Sequence, residues 1–155
     1  MRFVIPVKEF KNMTLQAKSK EPQSIKRCCC YAAVSNLPDH LRDYILPQAS
    51  ECALDEEQVT SWMDLSPARL HLYASPIVIH TDNFVFDNRN GKVTFELSDP
   101  NTHGIILGGT VLSALLRHRK PYSSNTPDGE MYIELEFLTG LSREQISSFV
   151  AFRSL

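Results

Sequence analysis

The sequence runs to 155 residues with a net charge of −2, and 43% of it is hydrophobic. That length suits a single domain spanning 1–155, and that composition argues against disorder. So small a net charge gives the surface as a whole no pull on nucleic acid, which leaves only a local basic patch for that role.

The opening stretch RFVIPVKEF predicts one strand, with Pro6 placing it near a sheet edge. Lys11 to Ser24 are polar and aperiodic, so residues 1–24 read as a peripheral strand plus a loop. Ile25 to Val34 predict a second strand, apolar enough in its later half to be buried on both faces; the run alone does not exclude a helix. This strand carries Cys28, Cys29 and Cys30, and Cys52 follows later. Strand geometry turns Cys28 and Cys30 to one face and Cys29 to the other. No C-x₂₋₄-C pair is present, so the expectation is small buried thiols in a reducing compartment, with metal or redox chemistry as the alternative.

NLPDHL predicts a turn, and LDEEQVTSWMDL a helix capped by Asp55 with Glu56 and Glu57 complementing its dipole. Val59, Trp62, Met63 and Leu65 form its apolar stripe, with Trp62 in the core. The whole of Ala68 to Leu97 gives the clearest β signal, with a hairpin turning at Asn90-Gly91. His71 and His80 fall on or near these strands and read as surface or satisfied core residues.

HGII, from His103, predicts a short strand that Gly108 and Gly109 turn into a helix with Thr110 as N-cap. Val111, Leu112, Leu115 and Leu116 give that helix an apolar stripe; Arg117, His118, Arg119 and Lys120 fill its last turn, and Pro121 stops it. After the loop YSSNTPDGE, MYIELEFL alternates, with Tyr132, Glu134 and Glu136 opposite Ile133, Leu135 and Phe137. Gly140 then leads to a helix whose Ser142 and Gln145 have the spacing of a capping box. The order of elements is that of an α+β domain with a mixed sheet.

No apolar run approaches the roughly 18–20 residues of a membrane span. The first residues lack the apolar core of a signal peptide. No membrane contact and a cytoplasmic location are therefore expected. The glycine corner is neither a P-loop nor a dinucleotide fingerprint, because G-K-[ST] and G-x-G-x-x-G are both missing. The N–H groups of Gly109 to Leu112 at a helix start remain a possible anion site. Neither G-x-S-x-G nor H-E-x-x-H occurs, so no catalytic residue, metal ligand or cofactor is assigned. Arg117, His118, Arg119 and Lys120 make the one basic cluster; it suits phosphates or a partner, but the helix dipole alone also explains it.

FVFDNRNGKVTFELSDPNTHGIILGGTVLSALL, followed by MYIELEFLTGLSREQISSFVAFRSL, resembles the abortive-infection phage-resistance (AIPR) proteins. Through them it is similar to the DGQHR-related, ParB/sulfiredoxin-like group. The likeness runs from Ile77 to Leu155, and more loosely through the first strand. It rests on His103-Gly104-Ile105-Ile106, Gly108-Gly109 and Leu138-Thr139-Gly140 in order. Where the family has an acid before Gly-Gly and a histidine after it, this chain has Leu107 and Thr110. The family's A-R-N-T ending reads Ala151-Phe152-Arg153-Ser154, and its upstream N-R-G turn reads Ala74-Ser75-Pro76. Family members are commonly longer, so a truncated form or fragment is expected.

The resemblance thus implies a ParB/sulfiredoxin-like scaffold with its polar positions substituted. The function it implies is a non-catalytic binding domain in phage–host conflict, acting through a protein partner in a nucleic-acid-targeting complex. Two alternatives stand beside it. One is a nucleotide-binding or nuclease domain using His103, Gly104, Gly108, Gly109 and Thr110. The other is nucleic-acid binding through Arg117, His118, Arg119 and Lys120.

Overall fold

The fold is given by a computed structural model that describes residues 1–15, 25–47, 49, 56–120 and 130–153. Cys52, the Asp55 cap, the Pro121 stop, most of the loop before Glu130 and part of the expected N-terminal loop lie outside these residues. The described strands are β1 (Arg2–Pro6), β2 (Lys8–Asn12), β3 (Arg27–Ala33), β4 (Ile77–Thr81), β5 (Asn83–Asp87), β6 (Lys92–Glu96), β7 (Gly104–Leu107) and β8 (Tyr132–Thr139). The helices are α1 (Glu56–Leu65), α2 (Leu70–Tyr73), α3 (Gly109–His118) and α4 (Arg143–Arg153). The domain is α+β, with two sheets rather than the single mixed sheet expected. One has the order β1-β6-β5 and the other β2-β3-β8-β4-β7. Only β4 and β8 pair in parallel; the other pairs are antiparallel.

The expected first strand is in fact two. Its β1 half pairs with β6 in the small sheet, and its β2 half pairs with β3 in the large one. Val7 is the crossing point, where its N–H donates to the Gly91 carbonyl at 2.8 Å. Pro6 cannot donate to a ladder, so the first pairing has reason to end there. β2 is an edge strand whose charged Lys8, Glu9 and Lys11 are exposed, which blunts that edge against stray pairing.

The large sheet is covered on both faces. On one side Cys28, Cys30, Ile77, Ile79, Ile105, Ile133, Leu135 and Phe137 join a core with Phe3 and Phe95 of the small sheet and Val59, Met63, Leu112 and Leu115 of α1 and α3. On the other, Val78, Ile106 and Leu138 pack against Ile146 and Val150 of α4. Double coverage explains why every residue of β4 is buried.

Several local expectations need correction. Ala68 to Tyr73 are not β: Pro67–Arg69 form a 3-10 turn and Leu70–Tyr73 the short α2, so His71 lies on a helix. The NLPDHL region winds into 3-10 helices at Val34–Asn36 and Asp39–Tyr44. The hairpin loop spans four residues, because Asp87 pairs with Lys92; Asp87 Oδ1 accepts from the N–H groups of Arg89 and Asn90. Leu65, expected on the buried stripe of α1, is 80% exposed, and Trp62 is half-buried. Glu136, on the strand face opposite Ile133 and Leu135 as the alternation implies, is nonetheless buried because β8 is a central strand under α4. The capping box forms as expected. Ser142 N–H donates to Gln145 Oε1 at 2.8 Å, and Gln145 N–H to Ser142 Oγ at 3.2 Å.

Candidate functional site

The glycine corner is built by close packing. Gly108 is the N-cap of α3 at φ +83, a left-handed conformation that favours glycine; Thr110 lies inside the helix and does not cap it. A Cβ at Gly108 would stand 3.0 Å from the Ile77 Cα and the Pro76 carbonyl, and one at Gly109 2.8 Å from Ile45 Cγ2. The cleft of about 410 Å³ beside the corner is lined by Ile45, Leu46, Pro47, Glu56, Thr110 and Ser113. Glu56 is paired with Arg117, and no lysine or arginine among the described residues lines the cleft to hold a phosphate. His103 and Gly104 do not join this corner. They precede β7 and open it, while Gly108 to Thr110 follow its far end, on the order of 13 Å away along the strand.

His103 organises a turn instead. Its Nδ1 accepts from the N–H groups of Asp99 at 2.9 Å and Ser98 at 3.1 Å. Asp99 Oδ1 accepts in turn from Asn101 N–H and Oδ2 from Thr102 Oγ1–H, which holds the exposed carboxyl below its usual range. The ring of His103 lies 5.4 Å from that of His80. His80 is 1% exposed and its two ring nitrogens are both used. The Thr102 carbonyl can only accept, so His80 Nδ1 carries the proton, and Nε2 accepts from Leu141 N–H at 3.0 Å. The satisfied-core reading of His80 therefore holds. Burial pushes His80 below the ordinary 6.5, with His103 adding to the shift and the Thr102 carbonyl and Asp99 opposing it.

The sign of the pH effect follows. As pH falls through 6.5, the unfolded chain takes up a proton that the folded one refuses, so stability falls with it. Urea denaturation is expected to show a steeper loss of stability with falling pH, below that value, for the wild type than for His80→Gln. Equal slopes in the two proteins would contradict the assignment.

The basic cluster is largely engaged within the fold. Arg117 donates to both oxygens of Glu56 at 2.8 and 2.9 Å, and His118 Nε2 lies 3.0 Å from Glu56 Oε1. Arg119 donates to the carbonyls of Val34 and Leu37 and to Asp39 Oδ1, pinning the end of α3 to the 3-10 segment. Lys120 is exposed. Arg119→Ala is accordingly expected to cost about 2 kcal/mol of stability, since charge-assisted bonds to partly buried carbonyls are lost. A chemical-denaturation change below about 0.5 kcal/mol would show that these bonds are incidental.

Sequence reasoning missed a buried ion cluster. Glu136 is 2% exposed, and Arg27 reaches it at 3.0 Å from β3 while Arg153 reaches it at 3.3 Å from α4. Cys29 Sγ stands 4.0 Å from the same carboxylate. As expected, Cys28 and Cys30 face the core and Cys29 the opposite side. Burial pushes all three thiols up, that of Cys30 to about 12, and Glu136 adds to the rise at Cys29. Such thiols stay protonated at neutral pH and are poor nucleophiles. The signal for Glu136 was its cross-strand partner Cys29 in a strand already read as apolar on both faces. Nothing in the sequence pointed to the arginines.

Among the described residues, no three His, Cys, Asp or Glu side chains form a group able to hold a metal ion. No helix of the described residues is long and apolar enough to cross a membrane. At the corner of α1 and α2, Leu65, Leu72 and Tyr73 are exposed, and the rings of Trp62 and Tyr73 lie 6.0 Å apart. Comparison with protein-family models, curated proteins and solved structures found no match to this chain.

Proposed function

We propose that the chain is a non-catalytic binding domain that acts through a protein partner at the α1–α2 corner. The observation that carries this reading is the exposure of Leu65 at 80% and Leu72 at 68%, beside Tyr73 and the half-buried Trp62. The Trp62–Tyr73 ring contact joins the two helices here, and the exposed leucines flank it in sequence; exposed apolar side chains that gather at one place mark interaction surfaces. The polar groups weighed for chemistry support the same reading, because His103, Arg117, His118 and Arg119 are held in bonds within the fold. The resemblance to the phage-resistance proteins supplies the setting. The proposed partner belongs to a nucleic-acid-targeting complex in phage–host conflict, and the scaffold is proposed to be ParB/sulfiredoxin-like.

The test is affinity capture of the chain from infected and uninfected host cells with mass spectrometry, alongside nucleotide-hydrolysis and DNA-cleavage assays. The reading expects a defined protein partner and no turnover above that of a Gly109→Trp control. Turnover above that control would overturn it in favour of an enzyme.

A further inference from the structure

A pocket of about 260 Å³ opens between β2, β3, α2 and β8, lined by Lys8, Glu9, Tyr31, His71 and Tyr132. Three of these five side chains are rings. Tyr31 pairs with Glu134 and Tyr132 with Ala33, so the two tyrosines stand diagonally on one face of the sheet, about 7–8 Å apart. Both are half-buried, which anchors the rings. The His71 ring meets Tyr31 edge-on, at 5.6 Å and 83°. Rings set at such angles present π-faces and edges to a shared space.

The site already holds a cation. Lys8 Nζ stands 5.0 Å from the centroid of the Tyr132 ring, within reach of a cation–π attraction. Next to it, Glu9 is the one non-glycine among the described residues with a left-handed backbone, at φ +52. It lies where the β2–β3 register shifts between Lys8 and Lys11. Bulges of this kind re-aim side chains, and a strained residue at the rim of a pocket is a functional signal. Lys8 and Glu9 thus bring one charge of each sign to a ring-lined pocket, and an ammonium that displaced Lys8 Nζ would meet the same rings with the Glu9 acid in the lining.

We propose that this pocket binds an organic ammonium group, in the place that Lys8 Nζ fills in this structure. The rings supply the attraction, and Glu9 adds charge at the mouth. This inference is independent of the partner at the α1–α2 corner.

The test is an NMR titration of the full chain with choline and with 3,3-dimethylbutan-1-ol, its neutral carbon isostere. Saturable shifts at Tyr31, His71 and Tyr132 are expected, with choline binding about tenfold tighter than the alcohol. Tyr132→Leu is expected to weaken choline by about tenfold, and Lys8→Ala to bind it as tightly as the wild type or more so. Should Tyr132→Leu fail to fold, Glu9→Gln on the exposed edge provides the reading, with an expected severalfold loss. A trimethyl-lysine peptide separates the sources: tighter binding than choline assigns an ammonium carried by a protein, weaker binding a free small molecule. Equal affinity for choline and the alcohol, no saturable shift at millimolar choline, or loss of binding in Lys8→Ala would overturn the proposal.

Discussion

Gly104→Ala is expected to destabilise the domain by about 3 kcal/mol, lowering the melting temperature by roughly 10 °C. Gly104 opens β7 at φ +149, where side chains are rarely tolerated. A Cβ built there would collide with the Tyr44 carbonyl oxygen and come within 3.2 Å of Leu46 Cγ. The colliding atom is backbone, so the segment around Tyr44 has to move. That segment is tied to β7 by the Ile45–Ile105 bridge and by the Leu46 N–H to Ile105 carbonyl bond of 3.0 Å. Gly104 also pairs with His80 across β4 and β7, so the shift reaches the buried histidine. Urea denaturation of the two proteins measures the effect. A loss below about 1 kcal/mol would mean that the close approach relaxes cheaply.

Replacing both Arg27 and Arg153 with Leu is expected to cost about 2–3 kcal/mol, because it strands the Glu136 carboxylate in a buried position. The figure sits below the upper end for buried pairs because each arginine side chain is 39% exposed and water can follow into the space it leaves. Adding Glu136→Leu to the double variant is expected to recover most of that stability, since the uncompensated charge is then gone. Chemical denaturation of the three proteins measures the cycle. A triple variant no more stable than the double one would assign the loss to packing of the arginine stems instead.

These two sites also show where sequence is and is not legible. Periodicity located α3, and the Gly140 turn with the serine–glutamine spacing at Ser142 located α4 and its cap, because local bonds decide both. The alternation of the cysteines was equally local, and the fold obeys it. The burial of Glu136 was not legible, because an alternating strand does not reveal whether a helix will cover its polar face. The split of the first strand at Val7 depends on Gly91, distant in sequence, to accept its N–H. Ala68 to Tyr73 read as β although Pro67 sits at the start of a 3-10 turn that runs into α2. Among the site residues, the left-handed glycine corner was legible, since glycine is the residue such a turn requires. The pairing of Arg117 and His118 with Glu56 was not, since it joins residues 61 and 62 positions apart. Leu65 fitted the apolar stripe of α1 by spacing, but it stands on the last turn, beyond the neighbours that bury Val59 and Met63.

The central claim is that the α1–α2 corner, and not the basic cluster, makes the contact with a partner. Affinity capture from infected cells should therefore be repeated with Leu65→Asp/Leu72→Asp and with Arg117→Ala/Lys120→Ala, each first verified as folded. The aspartate variant is expected to lose the partner while the alanine variant keeps it, with recovery insensitive to nuclease and only weakly dependent on salt. Retention by the aspartate variant, or a salt- and nuclease-sensitive loss in the alanine variant, would contradict it and transfer the contact to the end of α3.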